Sequence, residues 1–241
     1  MMLTRYHFAA QFVRDREILE LACGAGCGLG YLAQHAQRVT GGDVDLKNLA
    51  PAIERYDGHE LIRVMCLNAL DCPFGVKSFD TIILLDSLYW LPSIAQFLAE
   101  VRRLLRPSGV LILSTVNPDW HGFNPSPQAT RYYTIPELAL ELRGAGFEPC
   151  FNVGFSDSPQ TLRGQLAAWV RKWAVKTGLV PNSIYLKEKF KRILYGPLTR
   201  FPDEVTDEMA SLEPINPVKD DYYCKDSKII YISATVETGP D

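Results

Sequence analysis

The 241-residue sequence contains no apolar run approaching the ~18 consecutive residues of a membrane-crossing helix. It has no excess of basic charge: 25 Lys and Arg stand against 28 Asp and Glu, a net charge of −3, so nothing global points to nucleic acid or an anionic surface. No C-x-x-C pair occurs among the six cysteines (Cys23, Cys27, Cys66, Cys72, Cys150, Cys224), and the four histidines show no ligand spacing, so no metal site is expected. The cysteines read as small buried hydrophobes kept as thiols in a reducing compartment. The start, MMLTRYHF, lacks the basic and apolar stretches of a signal peptide, which leads to the expectation of a cytoplasmic protein. There is no internal repeat and no low-complexity segment. With 47% apolar and 22% charged residues, the composition is that of a globular domain large enough for one α/β core with an insertion.

What is present is an alternation of strand-like and helix-like segments organised around Ile18–Ala33, ILELACGAGCGLGYLA. An apolar run ends in small residues, breaks into Gly24-Ala25-Gly26-Cys27-Gly28, and resumes at helical spacing with Leu29, Leu32 and Ala33. That is a strand, a tight turn and a helix start, with free N–H groups facing whatever lies above the strand. Residues 4–14 predict a preceding helix. Further strands are expected at 38–43, 59–67, 79–85, 110–116, 147–153 and 228–236. Helices are expected at 46–56 and 92–106, and at Thr134 onward, where Pro136 and Glu137 follow the cap at capping-box spacing. Pro51 is tolerable only in a first turn or at a break. Alternating strands and helices imply a mostly parallel sheet covered on both faces, with its crevice at the strands' C-terminal ends.

The glycine spacing separates two adenosine-containing cofactors. A dinucleotide fingerprint needs G-x-G-x-x-G/A. Counted from Gly24 the last position is Leu29, and from Gly26 it is Tyr31. The frame from Gly28 through Gly30 and Ala33 fits, but starts four residues late, where the helix is already under way. Glu20 at the strand's end is a poor neighbour for pyrophosphate and a good partner for an ammonium group. Asp43, ending the second strand, is placed to accept ribose hydroxyls in either case.

In these motifs the chain resembles the class I S-adenosylmethionine-dependent methyltransferases. ILELACGAGCG, VTGGDVD, NALDCPFGVKSFDTIILLDSLYWL, EVRRLLRPSGVLILSTVN and RYYTIPELALELRGAGFE are similar to that family's motifs, in order, over about residues 4–153. The resemblance implies an α/β Rossmann-like fold with a seven-stranded, mostly parallel sheet in the order 3-2-1-4-5-7-6, strand 7 antiparallel, with helices on both faces. It implies S-adenosyl-L-methionine as cofactor and S-adenosyl-L-homocysteine as product. By position, Ala22, Gly24 and Gly26 would pass under the methionine part and Glu20 would orient its amino group. Asp43 would grip the ribose, with Val44 against the adenine. Asn68 would accept from the adenine amine, flanked by Ala69 and Leu70, and Leu85 and Asp86 would face the methyl group. Tyr6 is a further candidate for cofactor contact, with core packing as the alternative.

On the acceptor side, His121 in the loop after the fifth strand is the candidate general base. Tyr89, Tyr132 and Tyr133 are candidates to line the substrate pocket, with ordinary anchoring as the other reading. Ser87 and Leu88 replace the Pro-Pro of the signature found in amino-methylating relatives, so N-methylation gains no support. RYHFAAQFV and NPDWHGFNPSPQATRYYT are also similar to methyltransferases from bacterial surface-polysaccharide gene clusters, which implies a sugar or sugar-linked acceptor. The expected division is a core over 1–156, a helical basic insertion over 157–226, and the last strand and tail over 227–241. Residues 160–200 hold nine Lys/Arg and one acid, Glu188. They read as a solvated face, a cationic lid over an anionic acceptor, or a peripheral contact with an anionic membrane; a nucleic-acid role is the weakest reading. Two other functions stay open: a non-catalytic module that binds S-adenosylmethionine, and an NAD-dependent oxidoreductase.

Overall fold

The computed structural model describes residues 1–156, 202–209 and 211–236. Eight strands form one sheet in the order β3-β2-β1-β4-β5-β8-β6-β7. β1 (Glu17–Leu21), β2 (Arg38–Asp43), β3 (Ile62–Cys66), β4 (Phe79–Leu85) and β5 (Leu105–Val116) pair in parallel. β8 (Ser227–Val236) runs antiparallel between β5 and β6 (Phe147–Ser156). The expected seven-strand arrangement is therefore present, with one addition. β7 (Ile215–Val218) lies antiparallel on β6 at the sheet's edge. Its sequence, INPV, carries no strand signal of its own, and Pro217 fits only because an edge strand has a free side. Within the span assigned from sequence to a helical insertion, Ile215–Val218 thus joins the sheet, while the basic stretch 157–201 lies outside the described residues.

Alternation within the central strands feeds two cores. Leu19, Ile82, Leu84, Leu111 and Leu113 pack with α4 (Ile94–Leu104) and α5 (Ile135–Gly144). Ile18, Ile83, Ile112 and Tyr231 pack on the other face with α1 (Met2–Ala10), α2 (Leu29–Ala33) and α3 (Leu46–Arg55). α4 is capped by Ser93, whose side chain accepts from the Gln96 amide. α5 has both bonds of the capping box, between Thr134 and Glu137.

Local differences from the sequence reading have identifiable causes. α3 continues through Pro51, because Asp45 caps its start and the carbonyl that Pro51 leaves without a partner, on exposed Lys47, faces water. α4 passes straight into β5 at Leu105, so Pro107-Ser108-Gly109 sits within the strand, where the pairing with β4 shifts register and Ser108 has φ 61°. His59 lies before β3, its ring nitrogen accepting from the amides of Leu61 and Ile62.

Candidate active site

β1 and β4 are neighbours, and both leave the sheet through left-handed backbone: Ala22 has φ 55° and Asp86 φ 52°. Non-glycine residues rarely adopt this region, and such strain concentrates at functional sites. Between the two strand ends opens a cavity of about 590 Å³. Cys23, Gly24 and Ala25 form one wall, Leu85, Asp86 and Ser87 the other, and α1 closes it with Arg5 and Tyr6. A second hollow, of about 380 Å³, lies at the opposite ends of β2 and β3 between Arg38 and Val64 and shares none of these residues.

The glycines divide the work. Gly24 has φ 54°, and a Cβ there would meet nothing within 4 Å, so it fixes the turn while leaving the cavity side open. A Cβ on Gly28 would lie 1.9 Å from the Tyr6 ring, so that position lets α1 approach. Gly26 is also a packing position: a Cβ would stand 2.7 Å from the Cβ of Ala52 on α3. Like Glu20, Ala22 and Asp43, it adjoins the cavity-lining residues without being one of them.

Segment 202–209 docks on the outside of this turn. The Val205 amide donates to the Cys27 carbonyl at 2.7 Å, and the Tyr56 hydroxyl lies 2.9 Å from Glu204 and 3.2 Å from the Gly26 carbonyl.

Glu20 is 2% exposed on the inward side of β1. The Tyr6 hydroxyl donates to its Oε1 at 2.7 Å. Its Oε2 is buried with no partner among the described residues. Burial pushes the Glu20 carboxyl up to about 7, and the Tyr6 bond opposes that shift. Burial also carries the Tyr6 hydroxyl well above its ordinary value, followed by the Glu20 charge. Glu20 itself is not among the cavity-lining residues, but Tyr6, which holds its other oxygen, is; a cationic donor reaching Oε2 would satisfy it and favour the charged carboxylate.

Asp43 is buried at the end of β2, with Oδ2 accepting from the Gly24 amide at 3.0 Å and Oδ1 from the Asp45 amide at 2.9 Å. It therefore ties the glycine turn to the next strand, with lone pairs left over for a ligand. Val44 beside it is exposed. Asn68, exposed after β3, has its oxygen engaged by the Leu70 amide at 3.0 Å, and Ala69 and Leu70 are half-buried.

On the acceptor side, Arg5 pairs with Asp86, and the Ser114 hydroxyl reaches the other carboxylate oxygen at 3.4 Å. Burial raises the Asp86 carboxyl above the usual range, against the pull of Arg5. Tyr89 is pushed up to about 12 by burial and then by the Asp86 charge. Its ring stacks on Tyr132 (5.2 Å, 27°), and Phe123 meets Tyr132 edge-on at 4.7 Å.

Tyr133, predicted beside Tyr132 in the pocket, is instead a core anchor. It is buried with the α5 cluster, and Arg131 lies over its ring at 4.5 Å. The neighbours point to opposite sides because the extended chain before α5 alternates. His121 is half-exposed, 3.7 Å from Asp226, and its amide donates to the Lys225 carbonyl. It is not among the cavity-lining side chains. Sequence reading missed Arg5, Asn48 and Ser87 among the cavity-lining residues. Only Arg5 carried a signal, as the neighbour of Tyr6 one helical position away.

Strand order, the glycine turn at the first strand end and the acids at the next ends define a Rossmann-like α/β domain of the methyltransferase type. Residues 19–113 match the profile of a methyltransferase domain family. Over these residues the chain is similar to the class I S-adenosylmethionine-dependent methyltransferases. It is 33% identical over 149 residues to an S-adenosylmethionine-dependent methyltransferase of Mycolicibacterium smegmatis, covering 59% of this chain and 56% of that one. It is 32% identical over 110 residues to a fatty-acid O-methyltransferase of the same organism, covering 44% and 39%. The chain spans about half the length of the curated relatives it matches. Among solved structures, the cyclase SpnF superposes with a TM-score of 0.64 at 17% identity over 97% of this chain and 81% of that one, which shows the fold alone. Other relatives include phthiotriol/phenolphthiotriol dimycocerosates methyltransferases of Mycobacterium ulcerans and Mycobacterium leprae; these and the fatty-acid enzyme lend no support to the likeness to surface-polysaccharide enzymes.

Proposed function

We propose that this protein transfers a methyl group from S-adenosyl-L-methionine to a small-molecule acceptor in the cavity between β1 and β4. The observation that carries the reading is Glu20 Oε2, a buried acceptor without a partner among the described residues, joined through Tyr6 to a cavity whose glycine turn leaves it open. S-adenosylmethionine, when bound, supplies an electrophilic methyl group on a sulfonium centre. Glu20 and Tyr6 would hold its ammonium, and Ala22, Gly24 and Ala25 would let backbone approach the methionine part. Asp43 would accept from the ribose, while Val44, Asn68, Ala69 and Leu70 would border the adenine.

Leu85 and Asp86, with the Tyr89–Tyr132 stack, would line the acceptor side. Alignment of the acceptor atom with the methyl carbon then carries much of the rate. Asp86, which lines the cavity, is better placed than His121 to take a proton from a hydroxyl acceptor. The fatty-acid relative favours an acceptor with an apolar body over a free sugar; a sugar-linked lipid meets both readings. The basic residues between 160 and 200 would then meet an anionic head group or a membrane surface. The six cysteines are all free thiols, which fits a cytoplasmic setting.

Calorimetry with S-adenosylhomocysteine at neutral pH tests the reading directly: saturable binding is expected, and its absence refutes it. Turnover of labelled donor on a panel of fatty acids, glycolipids and sugar nucleotides then separates an enzyme from a module that binds without transferring, and ranks the acceptors.

A further inference from the structure

α1 lays Arg5 across the end of β4. Its side chain is 12% exposed and lines the cavity. A guanidinium has five N–H donors, and Nε with Nη2 forms an edge that grips a carboxylate through two parallel bonds. Here that edge is half used. Nη2 holds one oxygen of Asp86, the other oxygen of Asp86 faces Ser114, and the Arg5 Nε is buried with no partner among the described residues. A second donor is idle near it: the fully buried Tyr231 hydroxyl has no partner among the described residues and senses the charges of Arg5 and Asp86. Buried donors left unpaired are costly, and an ion pair that leaves one open calls for an acceptor-only group. Met2 and Leu85 make the surroundings apolar, which strengthens any such pairing.

We propose that Arg5 is a carboxylate receptor in which an incoming carboxylate completes the Nε/Nη2 fork and takes over from the one-sided contact with Asp86. This rests on reading the cavity as the site of methyl donor and acceptor. Two small molecules could bring the group: the amino-acid end of the donor, or an acceptor whose polar head is an acid. Asp86, freed from Arg5, would then face the acceptor alone.

The test is calorimetry on the full chain. The first arm compares S-adenosylhomocysteine with its decarboxylated analogue, S-adenosyl-3-thiopropylamine. The second compares octanoate with octanol in the presence of saturating S-adenosylhomocysteine. In one arm the carboxylate form binds roughly tenfold or more tightly, as expected for bonds to a charged group. Arg5→Met abolishes that preference, so that carboxylate and neutral ligand bind alike. Arg5→Lys, which keeps the charge and removes the fork, loses most of it. Preference in the first arm assigns the receptor to the donor, and in the second to the acceptor. No preference for a carboxylate in either arm of the wild type overturns the proposal, whatever the variants do. Failure of S-adenosylhomocysteine to bind at all overturns the cofactor reading and this proposal together.

Discussion

The Glu20 carboxylate should set stability against ligand binding, and replacing it by Gln exposes the conflict. In the unfolded chain a glutamate loses its proton near 4.5, whereas burial holds that of Glu20 until about 7. Between those values the folded state binds more protons than the unfolded one. Its contribution to stability is therefore fully present below 4.5, declines as pH rises, and is lost above about 7. The full difference corresponds to about 3 kcal/mol, of which about 2.5 kcal/mol falls between pH 5 and pH 8.

Glu20→Gln keeps an oxygen for Tyr6 and cannot ionise. Its amide brings a pH-independent cost of burial, so the informative quantity is the difference in pH profile. Chemical denaturation of both proteins at pH 5 and pH 8 should show wild type losing about 2.5 kcal/mol more than the variant over that interval. Added S-adenosylhomocysteine should shrink the gap, because an ammonium beside Glu20 stabilises the charged form. Its affinity for wild type should rise with pH, and the variant should bind weakly at both values. Parallel stability profiles would refute the assignment of Glu20 as a buried, uncompensated acid.

Three further outcomes follow from the geometry. Asp43→Ala removes an acceptor from two backbone amides and should cost about 1–3 kcal/mol in denaturation while also weakening S-adenosylhomocysteine binding. An unchanged stability would show that the glycine turn holds without it. Gly28→Ala drives a methyl into the Tyr6 ring and should destabilise by about 1–3 kcal/mol with loss of ligand binding. Gly58→Ala, at φ 70° but with open space around it, should cost only about 1 kcal/mol and leave binding intact. Equal effects at the two sites would contradict the close-approach role of Gly28. Thr134→Ala opens the α5 capping box and should lower stability by about 1 kcal/mol, read by thermal or chemical unfolding, without altering ligand affinity.

The local chemistry of the chain was enough to determine most of the scaffold. Glycines at a strand's end, a capping box at Thr134 and the apolar period of residues 94–105 act over a few residues, so their signal is complete in the sequence. The glycine spacing from Gly24 to Gly30 and the acid Glu20 before it are equally local, and they led the sequence reading toward an ammonium-binding turn, whereas Asp43 suits either cofactor.

What the tertiary structure decided involves partners far apart in the chain, where the outcome depends on strand order and helix placement. Tyr6 bonds Glu20 across 14 residues, and Arg5 reaches Asp86 only because α1 crosses the end of β4. Ile215–Val218 became a strand because β6 offered a free edge, a property of the sheet and not of INPV. Tyr132 and Tyr133 have the same chemistry, yet one stacks on Tyr89 and the other enters the core, because an extended chain sends successive side chains to opposite sides. Gly26, read from sequence as a cofactor contact, also packs against α3, because the fold brought Ala52 to within reach of it.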